Sequence, residues 1–119
     1  MYAIRGAISV AQDVASDIQA AGEELIRALL ERNEIAPAQV VSAYFTSTPD
    51  LVAGFPATGA RRAGFQQVPM LCAQEVPVPT APHRIVRVML HVEGTPAKPV
   101  QHVYLGEAAA LRPDWASPS

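Results

Sequence analysis

Strict alternation of apolar and other residues marks two stretches of the chain. In Ile85-Val86-Arg87-Val88-Met89-Leu90-His91-Val92, the residues Val86, Val88, Leu90 and Val92 are aliphatic, and Ile85, Arg87, Met89 and His91 fall between them. A strand sends successive side chains to opposite faces, so this pattern predicts a strand over 84–92. One face of it is continuously apolar and the other carries an arginine at its centre. Tyr2-Ala3-Ile4-Arg5-Gly6-Ala7-Ile8 repeats the plan inside a predicted strand over 2–10. There Arg5 shares a face with Ala3 and Ala7, while Tyr2, Ile4 and Ile8 take the other. Residues 40–47, rich in β-branched and aromatic side chains, and residues 68–72 and 100–105 read as three further strands.

The period changes over 13–33, where Val14, Ile18, Ala21, Leu25 and Leu29 recur on one helical stripe widened by Ile26 and Leu30. Asp13 and Ser16 are candidate N-caps, and Ser16 with Gln19 fits a capping box. The helix cannot continue through Pro37. Thr48-Pro49-Asp50 signals a turn, and residues 56–63 predict a short helix closed by Gly64. Pro77, Pro79 and Pro82 keep 76–83 an extended loop. After Pro113 the chain is polar apart from Trp115, and a mobile tail is expected. Five strands with one long and one short helix predict an α+β domain built on a single mixed sheet. One helix covers one face of such a sheet, so the other face is expected to find a partner by self-association.

With 119 residues, half of them apolar, the chain is expected to form one domain over 1–119. A net charge of −2 and the absence of any Lys or Arg run argue against a nucleic-acid partner. No apolar stretch is long enough to span a membrane, and the first residues lack a signal-peptide pattern, so a cytoplasmic location is expected. Cys72 has no second cysteine to pair with, and His83, His91 and His102 fit no metal-ligand spacing. No Gly-rich phosphate loop and no Ser-His-Asp arrangement is present, and no cofactor or metal is expected.

Arg5 and Arg87 carry the candidate chemistry. A guanidinium keeps its charge when buried and must find an anion or several acceptors. Each alone is compatible with a structural role: Arg87 could pair with a glutamate within the fold or across a subunit interface, or snorkel from an edge strand. Two on strands, in a chain that is 17% charged, point to a pocket that receives an anion.

Short motifs in a fixed order narrow the choice. They are Ile4-Arg5-Gly6-Ala7, Thr48-Pro49-Asp50-Leu51, Phe55-Pro56-Ala57 followed by Arg61, Cys72-Ala73-Gln74-Glu75, Arg87-Val88-Met89, His102-Val103-Tyr104-Leu105 and Leu111-Arg112-Pro113-Asp114. Together they resemble the small monofunctional chorismate mutases of the trimeric α/β class, over nearly the whole chain. The resemblance implies a homotrimer, its sheets forming a pseudo-barrel around a central axis, with active sites at subunit interfaces. It also implies the Claisen rearrangement of chorismate to prephenate in phenylalanine and tyrosine biosynthesis, without cofactor or covalent intermediate.

By the same resemblance, Arg87 is the cation beside the departing ether oxygen, and Arg5 and Tyr104 receive the enolpyruvyl carboxylate. Glu75 accepts the ring hydroxyl with Cys72 beside it as a second polar contact. Phe55 and Ala57 are apolar walls from the neighbouring subunit, and Arg61 and Arg112 stand at the pocket mouth. The chain departs from one relative at Thr58, where a lysine stands. Two rival readings share the arginines: a trimeric imine or enamine deaminase, and a non-catalytic sensor of an aromatic-pathway metabolite. The Cys72–Glu75 and Leu111–Asp114 motifs oppose the first, and turnover separates the second.

Overall fold

The structure is a computed structural model that describes residues 1–115. Its elements in chain order are β1 (Tyr2–Ser9), α1 (Ala15–Arg32), β2 (Val40–Ser47), α2 (Pro56–Arg62), β3 (Met70–Gln74), β4 (Ile85–Val92) and β5 (Val103–Leu105). Short 3₁₀ segments at Pro37–Gln39 and Gly106–Leu111 complete them. The five strands form one mixed sheet in the order β3-β2-β4-β1-β5. β4 runs antiparallel to both β1 and β2, whereas β5 is parallel to β1 and β3 parallel to β2.

The alternation read from β1 and β4 is realised in their burial. Ile4 and Ile8 of β1, Ala43 and Phe45 of β2, and Val86, Val88, Leu90 and Val92 of β4 are buried in the main core. The stripe Ile18, Ala21, Leu25, Ile26 and Leu29 of α1 packs into that same core. Arg5, Arg87, Met89, Tyr44 and His91 line a depression on the opposite face. A smaller cluster of Ala7, Ile85, Tyr104 and Ala108, with Leu111 and Trp115 packed on it, covers one end of that second face.

The helices lie against each other at close range. A Cβ on Gly59 would stand 1.8 Å from the Gln19 carbonyl oxygen, and one on Gly22 would stand 2.2 Å from that of Pro56. Both positions therefore exclude a side chain. Gly64, at φ +117°, follows α2 in the left-handed conformation that ends helices.

Several boundaries differ from the sequence reading. α1 begins at Ala15 after Val14, with no side-chain cap, so neither Asp13 nor the Ser16–Gln19 box closes it. The carboxylate of Asp13 instead accepts the N–H groups of Val52 and Ala53 at 2.9 and 3.0 Å, tying down the loop before α2. Gln19 accepts from Arg62 at 2.6 Å. β3 is displaced to Met70–Gln74, and β5 spans only Val103–Leu105. The residues before β5 are held by side chains: Asn33 receives the Gln101 N–H at 2.7 Å, and His102 Nδ1 receives the Arg5 N–H at 3.0 Å. These bonds take the place of a longer backbone ladder. Of the expected tail, residues 113–115 are placed with Trp115 against His102, and residues 116–119 lie outside the described residues.

Candidate active site

Strand register puts the two arginines on one face. Arg5 pairs with Met89 and Ala7 pairs with Arg87 across the antiparallel β1–β4 ladder, so Arg5 and Arg87 are diagonal neighbours. Arg87 is partly buried, and its Nε donates to Glu75 Oε2 at 3.0 Å. Thr46, directly opposite Arg87 on β2, donates its hydroxyl to the same oxygen at 2.6 Å. The glutamate partner that strand periodicity left open for Arg87 is thus Glu75 of the same chain. Both bonds fall on Oε2, and the one from Arg87 engages only the Nε of the guanidinium.

The other residues named for the site divide into two groups. Tyr104 pairs with Ala7 on β5 and is 2% exposed, its phenol oxygen buried without a hydrogen-bond partner among the described residues. Arg112 follows the last 3₁₀ segment and forms a two-pronged pair with Asp114, at 3.1 and 2.8 Å. That pair raises the Arg112 pKa and lowers that of Asp114. With Arg5, Arg87 and Glu75, these residues make a cationic cluster, a candidate for binding an anion.

Phe55 and Cys72 line a separate cavity with Leu51, Ser47 and Gln74. Cys72 pairs with the core residue Phe45, so its side chain takes the helix-facing side of the sheet. Partial desolvation pushes the Cys72 thiol up, opposed by the Ala57 backbone and the charge of Arg61. Phe55 is 65% exposed and Ala57 is buried at the start of α2. Together they make a second, more apolar candidate surface. The expectation that Cys72 and Glu75 serve one small group side by side fails within one chain. Cys72 lies inside β3, and three steps along an extended chain reverse the face.

The sequence profile of the family described as chorismate mutase type I matches residues 1–115. The chain belongs to the type I chorismate mutases. It is 47% identical over 116 residues to chorismate mutase AroH of Thermus thermophilus, covering 96% of this chain and 95% of that one. The AroH chorismate mutase of Bacillus subtilis is 38% identical over 113 residues, covering 93% and 89% of the two chains. A solved chorismate mutase from Clostridium thermocellum superposes with a TM-score of 0.87 at 36% identity, over 92% of this chain and 99% of that one.

In this chorismate mutase three residues beside the cationic cluster escaped the sequence reading. Thr46 anchors Glu75; its place on the alternate face of β2 was readable, but its pairing with Arg87 needed the strand order. His102 accepts the Arg5 N–H, and burial followed by the charges of Arg5 and Arg112 lowers its pKa, in keeping with a neutral acceptor. Trp115 lies against Arg112 and Arg5, and a single aromatic residue in a polar tail was its sole signal. Among the described residues no group of three His, Cys, Asp or Glu side chains could hold a metal ion, and no helix is long and apolar enough to cross a membrane.

Proposed function

We propose that this chorismate mutase works between two copies of its chain, the cationic half-site of one protomer facing the apolar half-site of the next in a trimer. The observation that carries the reading is the split itself. Arg5, Glu75 and Arg87 meet on one face of the sheet, while Phe55 and Cys72 line a cavity on the other side. One chain cannot close these halves on a single ligand. A head-to-tail interface repeated around a threefold axis supplies each half with its complement.

The substrate is chorismate, a dianion, and the product is prephenate, on the route to phenylalanine and tyrosine. In one molecule the ether C–O bond breaks and a C–C bond forms, with no proton transferred. Breaking runs ahead of forming, so negative charge builds on the ether oxygen. Arg87 offers its terminal N–H groups to that oxygen, because its Nε is already committed to Glu75. A cation fixed there binds the transition state more strongly than the substrate, the condition for raising kcat. Its strand position and its two neighbours hold it without reorganisation.

The remaining groups orient the substrate. Arg5 and the unpaired Tyr104 phenol receive the enolpyruvyl carboxylate. Oε1 of Glu75 accepts the ring hydroxyl. Phe55 and Ala57 of the neighbour hold the flexible ether folded over the ring, an entropic contribution, and Cys72 of the neighbour adds a polar contact. Arg61 and Arg112 draw the dianion to the mouth.

Subunit complementation tests the arrangement. Arg87→Ala and Phe55→Asp each remove activity, one by losing the cation and the other by placing a carboxylate against the dianion. When the two variants are co-expressed and assembled at random, about a quarter of the interfaces join two intact halves, and that share of activity returns. Mixed assemblies as inactive as their parents would overturn the interface site.

A further inference from the structure

Trp115, the chain's single tryptophan, gathers four residues of the anion-binding end around one ring. Its centroid is 4.0 Å from that of His102, with the rings inclined at 33°, and 6.0 Å from Tyr104, which meets it edge-on. The guanidinium carbon of Arg112 stands 3.4 Å from the same centroid and that of Arg5 stands 5.7 Å away. These neighbours differ in what else they touch. Arg112 is paired with Asp114, and His102 is fixed by the Arg5 N–H. The Arg5 guanidinium makes no hydrogen bond or ion pair among the described residues, and the indole gives it a cation–π contact.

An arginine on a strand keeps many rotamers, and a carboxylate that arrives must first immobilise it. An aromatic face within about 6 Å attracts the guanidinium without using any of its N–H donors. We propose that Trp115 is a positioning residue for substrate binding. Braced against His102, its indole holds the Arg5 guanidinium in one orientation, so that the substrate carboxylate meets a preset fork of donors. The inference rests on the reading that Arg5 and Tyr104 receive this carboxylate. Because the carboxylate does not react, the gain is shared by ground state and transition state and belongs in KM.

Chorismate turnover by a set of full-length variants tests this. Trp115→Ala should raise KM about fivefold, with kcat changed less than about twofold. Trp115→Phe keeps a π face and should recover most of the loss. Trp115→Leu keeps apolar bulk over Ala108 and Tyr104 without a π face, and should behave like Ala. In an Arg5→Ala background, Trp115→Ala should add nothing. A native KM in Trp115→Leu, or the same KM increase with and without Arg5, overturns the positioning role. Should Arg5→Ala itself leave KM unchanged, the carboxylate assignment fails, whatever Trp115 does.

Discussion

Arg87 and Glu75 are joined through a single edge of the guanidinium, Nε to Oε2 at 3.0 Å, with the Thr46 hydroxyl on the same oxygen at 2.6 Å. The bond orients the fork while leaving its terminal nitrogens for the ether oxygen. Replacing Arg87 by citrulline keeps the shape and the Nε–H but removes the charge. The barrier of the chemical step should rise by about 3 kcal/mol or more, roughly a hundredfold in kcat, with binding retained through Arg5 and Tyr104. Arg87→Lys should also fail, since a point charge without the planar fork cannot serve the Glu75 carboxylate and the ether oxygen together. An increase in KM alone in the citrulline enzyme would reduce Arg87 to a binding residue.

Glu75 and Cys72 should differ sharply. Glu75→Ala removes the partner of Arg87 and the acceptor for the ring hydroxyl together, so the barrier reported by kcat/KM should rise by about 2–3 kcal/mol. Cys72→Ser keeps a polar contact at an exposed strand position and should retain most activity. Steady-state kinetics of the two variants decide the matter, and the opposite order of damage would reverse the roles.

Gly59→Ala should destabilise the fold without touching the chemistry directly. The added methyl group meets the Gln19 carbonyl at 1.8 Å, and both partners are helix backbone with little room to yield. A loss of about 2–3 kcal/mol is expected from the forced separation of α1 and α2. Denaturant unfolding at fixed protomer concentration measures it. Native stability in this variant would mean that the helix contact is looser than drawn.

His102 should make stability depend on pH. Burial, then the charges of Arg5 and Arg112, hold its folded pKa below the ordinary 6.5. The unfolded chain therefore takes up this proton first on acidification. The contribution is fully present above the unfolded value and is lost as the pH falls towards the folded one. The melting temperature should drop as the pH is lowered from about 7 to about 5. His102→Asn, whose side-chain oxygen can accept the Arg5 N–H and does not titrate, should flatten that part of the profile. The Asp50–His83 pair is present in both proteins and contributes equally to each. Parallel melting curves for the two would remove His102 from the account.

The alternation in β1 and β4 and the helical stripe of α1 determined the layers of this protein from sequence alone. Burying Val86, Val88, Leu90 and Val92 leaves Arg87 one face to occupy, and a single register slip would bury the arginine instead. The ordered motifs likewise carry the chain's likeness to the chorismate mutases in the sequence itself. Strand order was not legible, because β1 reaches β4 across seventy-five residues of intervening chain, and local periodicity does not encode that pairing. Only the paired sheet brings Thr46 opposite Arg87, carries Glu75 from the end of β3 to the same guanidinium, and turns Cys72 to the other side. The caps and the end of β5 went the same way. Asp13, Asn33 and His102 spend their side-chain acceptors on backbone N–H groups brought to them by distant segments, and those long-range bonds displaced the local ones that the sequence predicted.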